Sequence, residues 1–165
     1  DLNNDLVNNL KDGQKLIFIR HAYAPGGGDP ENFNLGDCST QRNLSKEGRI
    51  QAQKIGKFFK DNMITVDEVL SSEWCRCKDT AKIAFGKFST NSFLNSFYSS
   101  KFAKNRNKQM KDLKKYMELS KTQKNIVLVT HYVVISETLD YAPSSWEIVI
   151  SDKNFKIMGT IKINY

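Results

Sequence analysis

Apolar positions along the chain alternate between two periods, one suited to helices and one to buried strands. Leu2, Leu6, Val7 and Leu10 fall on one face of a helix predicted over Asn3 to Lys11, with Gly13 as its stop. Lys15 to Ile19 is predicted as a strand, and its unbroken apolar run Leu16 to Ile19 suits burial on both faces. Ser45 is an N-cap for a helix running to about Asp61, with Ile50, Ile55, Phe58 and Phe59 as its core stripe. Val66 to Leu70 is predicted as a strand, followed by a helix from about Glu73 to Phe85. Asn91 to Leu94 is predicted as a short strand and Phe102 to Ser120 as a lysine-rich helix. Asn125 to Val129 is the clearest strand, and a short helix over Val133 to Leu139 follows it. Trp146 to Ile150 and Lys156 to Ile163 are predicted as a closing pair. Strands alternating with helices predict a three-layer α/β/α sandwich on a mainly parallel sheet, with the closing pair as an antiparallel edge. One domain over residues 1–165 is expected, with no internal repeat or low-complexity linker.

One segment resists this pattern. Ala22 to Asn43 is long and has little periodicity. Such loops in compact domains are usually functional or disordered. Phe33, Leu35 and Cys38 supply apolar anchors, so an ordered loop covering a site is expected.

Composition narrows the function classes. Hydrophobic residues make up 39%, and no apolar run approaches membrane-spanning length. The formal net charge is +7. The densest lysine group, Lys101 to Lys115, lies on a predicted helix and reads as a solvated face. No nucleic-acid-binding signature accompanies it, so a nucleic-acid partner, suggested by charge alone, is disfavoured. Cys38, Cys75 and Cys77 lack metal-site spacing, and no metal ligand set is expected. A disulfide from Cys38 to Cys75 or Cys77 and free buried thiols are equally compatible with the sequence. The first residue is Asp1. Together with the loop cysteine, a start without methionine tilts the expectation towards an exported, periplasmic protein over a cytoplasmic one.

The chemistry concentrates at strand ends. The chain has two histidines, and each follows an apolar strand directly, in Phe18-Ile-Arg20-His21 and Leu128-Val-Thr-His131. In a parallel sheet those ends share one edge, where ligands bind. Val66 to Leu70 delivers Ser71-Ser72-Glu73-Trp74-Cys75-Arg76 to the same edge, with Arg76 on the first turn of a helix. Two guanidinium forks, two imidazoles and a helix N-terminus suit a phosphate. A neutral imidazole can attack phosphorus if its far nitrogen donates to a backbone carbonyl. Two arginines would neutralise the phosphate without Mg²⁺, so no cofactor is expected.

Taken together, these residues resemble the histidine phosphatase superfamily, also called phosphoglycerate-mutase-like. The likeness rests on Arg20-His21, on Ser72, Arg76, Thr80 and Ala81, on Leu44-Ser-Lys-Glu-Gly48 with Gln51-Ala52, and on Val129-Thr-His131. The resemblance implies that His21 is the nucleophile forming a phosphohistidine. It implies that Arg20 and Arg76 bind the phosphoryl group and that His131 stabilises the transition state. Arg42 would add a substrate contact or, as an alternative, form a surface salt bridge. The implied partner is a phosphorylated small molecule or a phosphoprotein, phosphohistidine included. A catalytically idle phospholigand-binding module is the alternative of another class.

The chain also departs from the family pattern. Ala22 stands where the family usually has glycine. Mutase-like members carry a glutamate where this chain has Leu94-Asn-Ser-Phe97, and related acid phosphatases carry an acid where it has Tyr132. The remaining candidates for a general acid are Asp29, Glu31, Asp37 and Glu73; Glu137 would point away. Glu73, three residues before Arg76, could instead pair with it on a shared helix face. A substrate with a good leaving group, such as phosphohistidine or an acyl phosphate, would need no strong acid. Mutase activity is disfavoured because mutases of this group carry enclosing insertions. The Cys38 to Leu44 stretch resembles that of exported members acting on lipopolysaccharide heptose phosphate, an analogy of fold alone.

Overall fold

A computed structural model describes residues 2–165, with side chains from Asn4 onward; Leu2 of the predicted apolar face lies outside the described side chains. Helix α1 (Leu2–Lys11) leads into β1 (Leu16–Arg20). The long loop follows, then α2 (Lys46–Asp61), β2 (Val66–Ser71), α3 (Cys75–Phe85) and a two-residue β3 (Ser89–Thr90). Helix α4 (Arg106–Leu119), β4 (Asn125–Thr130), α5 (Tyr132–Leu139), β5 (Glu147–Ser151) and β6 (Ile157–Lys162) complete the order. Among the described residues the strands form one sheet ordered β3-β2-β4-β1-β5-β6. β1 to β4 run parallel, and β5 pairs antiparallel with both β1 and β6. The closing pair therefore forms the antiparallel edge, with β5 as the reversed strand.

Period-two alternation along the central strands sends side chains to two cores. Ile17, Ile19, Val127, Val129, Ile148 and Ile150 pack beneath α1, α2 and α3. Leu16, Phe18, Ile126, Leu128 and Val149 pack beneath α4 and α5. Helices thus cover both faces, which is the three-layer arrangement. At the end of the sheet away from the strand C-termini, buried Asn125 holds the chain together. Its side-chain N–H groups donate to Leu10 O (2.7 Å) and Thr65 O (3.0 Å). Its side-chain oxygen accepts from the Lys15 N–H (3.1 Å).

Four predicted details differ. The strand expected at Asn91 to Leu94 is a 3-10 turn over Ser92–Leu94, and the strand is the preceding Ser89–Thr90. The Asn91 side chain accepts from the Phe93 N–H (3.0 Å), so a local cap replaces the ladder. Ile50 is exposed, and the buried stripe of α2 is Gly48, Gln51, Ala52, Ile55 and Phe59. That face is turned because α2 presses its backbone on other chain segments at Gly48 and Gly56. A Cβ on Gly56 would sit 2.4 Å from Ala84 O of α3. The lysine-rich segment opens with a 3-10 turn over Ala103–Asn105 before α4 begins. Finally, α3 starts at Cys75, so Glu73 lies ahead of the helix and shares no helical face with Arg76.

The loop from Ala22 to Asn43 is ordered. Phe33 and Leu35 pack against the α1–α3 core, and the Phe33 ring stacks on Trp74 at 5.1 Å. Cys38 is disulfide-bonded to Cys75, with Cα atoms 5.8 Å apart, so the loop is stapled to the start of α3. Cys77 is a buried free thiol.

Candidate active site

β1 and β4 are parallel neighbours in which Arg20 is level with Thr130. Their next residues, His21 and His131, therefore emerge side by side, with ring centroids 5.6 Å apart. The His21 N–H donates to Thr130 O (2.9 Å), extending the ladder into the site. His21 Nδ1 lies 2.9 Å from Ala22 O. A carbonyl only accepts, so Nδ1 carries the proton and Nε2 keeps its lone pair. Arg76 Nε donates to that Nε2 (3.2 Å). The backbone bond foreseen for a nucleophilic imidazole is present.

Arg76 sits on the first turn of α3, is 4% exposed, and carries its own counterion. Its Nη1 donates to Asp29 Oδ1 (2.9 Å). Asp29 also accepts from the Arg42 backbone N–H (3.0 Å) and from Trp74 Nε1 (3.1 Å). These donors, with the Arg76 charge, hold the Asp29 carboxyl below its ordinary range despite partial burial. A carboxylate engaged this way is a poor proton donor. Two of the other candidate acids are committed elsewhere. Asp37 caps the 3-10 turn at Cys38–Thr40 through the Ser39 N–H (3.0 Å). Glu73 accepts from Asn95 Nδ2 (2.8 Å) and Glu31 is exposed. Glu137 lies 3.8 Å from Arg106, outside the site.

Arg20 and Arg42 complete the cationic rim. Among the described residues Arg42 forms no salt bridge; it is half-buried, and its guanidinium donates to Ala24 O. Arg20 lies over the Tyr132 ring. Both guanidinium groups are pulled below their ordinary values, first by burial and then by Arg76. Among the described residues, three guanidinium groups converge on neutral imidazoles with one carboxylate among them. An open cleft of about 260 Å³ is lined by Arg20, His21, Tyr23, Arg42, Gln51 and Trp146 among others. Arg76 and His131, both in contact with His21, are not part of that lining. His131 Nε2 is 2.8 Å from Ser72 Oγ and 3.5 Å from the Cys77 thiol. Burial pushes that thiol up to about 12, so it stays protonated. No group of three or more potential metal ligands forms among the described residues.

Burial, with Arg76 acting on His21 and His21 on His131, holds both imidazoles well below the ordinary histidine value. The folded chain therefore refuses protons that the unfolded chain accepts below about pH 6.5. Stability should be level above that pH and fall beneath it, by up to about 1.4 kcal/mol per pH unit for each histidine. Thermal unfolding followed between about pH 8 and pH 5 checks this, and His131→Asn should shallow the decline.

Geometry explains motif residues that the sequence marked without a role. Thr80 Oγ1 accepts the Ala22 N–H (2.9 Å) and donates to Arg76 O (2.7 Å), so it ties the chain just past β1 to the first turn of α3. Gln51 Oε1 accepts the Tyr23 N–H (2.8 Å). A Cβ on Gly48 would sit 2.0 Å from Tyr23 O, so only glycine lets α2 approach the chain just past His21. Gly48→Ala should lower stability by about 1–3 kcal/mol through overpacking, measurable by urea unfolding. Asp29, Gln41 and Asn95 were not singled out as structural partners, because their bonds reach distant segments. Gln41 Oε1, for example, accepts the Cys75 N–H (2.9 Å).

Comparison with known proteins agrees with this picture. Residues 16–94 match the histidine phosphatase superfamily, branch 1. No protein of curated function matches the chain. The fold resembles that of a protein histidine phosphatase, SixA, solved with tungstate, at TM-score 0.65 and 11% identity, covering 90% of this chain and 96% of that one. It resembles a candidate alpha-ribazole-5'-P phosphatase of Escherichia coli at TM-score 0.68 and 15% identity, covering 92% and 97%. It also resembles a phosphoglycerate mutase of Thermus thermophilus at TM-score 0.63 and 13% identity, covering 91% and 99%. At such identities the likeness speaks for the fold, and the matched segment holds Arg20-His21 and Arg76. On both grounds, the chain resembles the histidine phosphatase superfamily, in sequence over residues 16–94 and in fold over most of its length.

Proposed function

We propose that the chain is a phosphatase that works through a phosphohistidine at His21 and needs no metal ion. The observation that carries this reading is the charge around a neutral, backbone-oriented imidazole. Arg20, Arg42 and Arg76 all act on His21, and among the described residues one carboxylate, Asp29, is paired with Arg76, which leaves two positive charges at the site. A phosphomonoester dianion carries the matching charge, and guanidinium forks suit its oxygens. His21 Nε2 supplies the lone pair that attacks phosphorus, and the P–O or P–N bond to the leaving group breaks. Water then attacks the phosphohistidine, the electron pair returns to Nε2, and phosphate departs. Arg76 must share its donors between Nε2 and the incoming oxygens, and Asp29 keeps its Nη1 end anchored. His131, next to His21, supports the transferred group from behind.

The substrate is a phosphorylated small molecule or a phosphoprotein. The fold's likeness to a protein histidine phosphatase places phosphohistidine in the panel to be tested. No helix among the described residues is long and apolar enough to cross a membrane. The Cys38–Cys75 disulfide favours an oxidising compartment and hence export.

The test is to incubate the protein with a ³²P-labelled phosphate donor and quench in base. An acid-labile, base-stable phosphoprotein that is absent from His21→Asn supports the reading. Phosphate affinity without labelling supports an idle binding module instead. Loss of turnover in EDTA would reject the metal-free route.

A further inference from the structure

The cleft beside His21 has a second wall that phosphoryl transfer does not use. Tyr23 and Trp146 line it together with the cationic groups. The Tyr165 ring touches both, with centroids 5.5 Å from Tyr23 and 5.9 Å from Trp146. Three rings therefore form a continuous array next to the nucleophile.

This wall is built into the fold. Gln51 Oε1 accepts the Tyr23 N–H (2.8 Å) and Gln51 Nε2 donates to Ile163 O (3.1 Å). The Ile163 N–H in turn donates to Trp146 O (2.9 Å). One ladder of hydrogen bonds thus sets Tyr23 and Trp146 relative to each other. Trp146 has a left-handed backbone, φ 68°, a conformation bulky residues rarely adopt. The turn is locked by Glu147, which accepts from the Ser144 N–H (2.8 Å) and the Tyr141 hydroxyl (2.7 Å). Strain of this kind persists where the surroundings over-determine it, often at ligand clamps.

The cleft's chemistry is equally selective. Among the described residues its lining contains no aspartate or glutamate. A leaving group must then depart without a carboxylic acid to protonate it. A phenol ionises near ~10, whereas an alcohol resembles water at ~15.7, so aryl groups leave far more readily. A cavity of roughly 150 Å³ admits benzene. The cleft of about 260 Å³ is thus large enough for a phosphoryl group and one ring.

Building on the phosphatase reading, we propose that the preferred substrates carry their phosphoryl group on a planar ring, a phenol oxygen or an imidazole nitrogen, seated against Tyr23 and Trp146. His21 Nε2 forms its bond to phosphorus while the P–O or P–N bond breaks. That electron pair leaves on the ring, which takes its proton from water. Water then cleaves the P–Nε2 bond and releases phosphate.

The experiment compares phenylphosphonate with propylphosphonate by titration calorimetry, which requires no turnover. The wild type should bind the phenyl compound at least tenfold more tightly. Trp146→Ala should cut that preference below threefold, and Trp146→Phe should keep it. Tyr23→Phe should keep it as well, while Tyr23→Leu should weaken it, a second measurement should the Trp146 variants fail to fold. The same ratio should appear in kcat/KM for phenyl phosphate over propyl phosphate and glucose 6-phosphate, with phenyl phosphate against phosphoimidazole separating the two ring sources. Loss of turnover in Tyr23→Phe would make Tyr23 an acid rather than a wall and overturn the proposal. Equal affinity in the wild type, or an unchanged preference in both Trp146→Ala and Tyr23→Leu, would also overturn it. If His21 labels but no ring preference exists, only the ring assignment falls. If the preference exists without labelling, the phosphatase reading falls instead.

Discussion

His21→Ala should lower kcat/KM for p-nitrophenyl phosphate by roughly 10⁴-fold or more, because the proposed covalent route is lost and members of a catalytic unit act non-additively. The fold should survive. His21 is buried at the top of β1, where its backbone N–H still donates to Thr130 O. The side-chain cost is a small cavity and an unpaired Arg76 Nε, about 1–3 kcal/mol. Circular dichroism and urea unfolding separate this modest loss from the collapse of activity. Near-wild-type turnover in this variant would remove His21 from the nucleophile's role.

Arg76→Ala should damage both stability and turnover. Its guanidinium is the counterion of Asp29, and their side chains are 5% and 20% exposed. Removing one partner of a buried pair strands the other charge, at a cost of 3–5 kcal/mol in typical cases. About 3 kcal/mol is expected here, at the low end of that range, because Asp29 keeps N–H donors from Arg42 and Trp74. Turnover should fall by about 10²–10³-fold, as when one preorganised donor to a developing charge is lost. The double variant Arg76→Ala, Asp29→Ala should recover part of the stability and none of the activity. Arg76→Lys should keep charge but lose the fork, and so should recover little activity. Full stability in Arg76→Ala would show that the pair with Asp29 contributes nothing to the fold.

The two variants probe different depths of the site. His21 borders the cleft, whereas Arg76 is buried and is not part of its lining. Asp29, one of four candidates for the proton donor, is held as a carboxylate against Arg76. On the proposed reading the leaving group departs unassisted, and the Tyr23 and Trp146 wall then bears on substrate choice.

Much of this was legible from local pattern. Leu16 to Ile19 and Ile126 to Val129 are short apolar runs, and such runs become buried strands whatever surrounds them. Because parallel strands place their C-termini on one edge, Arg20, His21 and His131 could be assigned to a common site before any contact was known. Asn91 to Leu94 misled because an asparagine cap competes with a strand only through a hydrogen bond that hydropathy does not register. What tertiary structure alone decided are pairings between distant segments. Asp29 with Arg76 spans 47 residues, Ala22 with Thr80 spans 58, and Gln51 with Ile163 spans 112. Whether Cys38 bonds Cys75 or Cys77 was likewise open, because the choice depends on where α3 begins. Hydrophobic periodicity is a short-range signal that fixes which face of an element is buried. A hydrogen-bond partner is chosen only when the folded sheet brings donor and acceptor within reach.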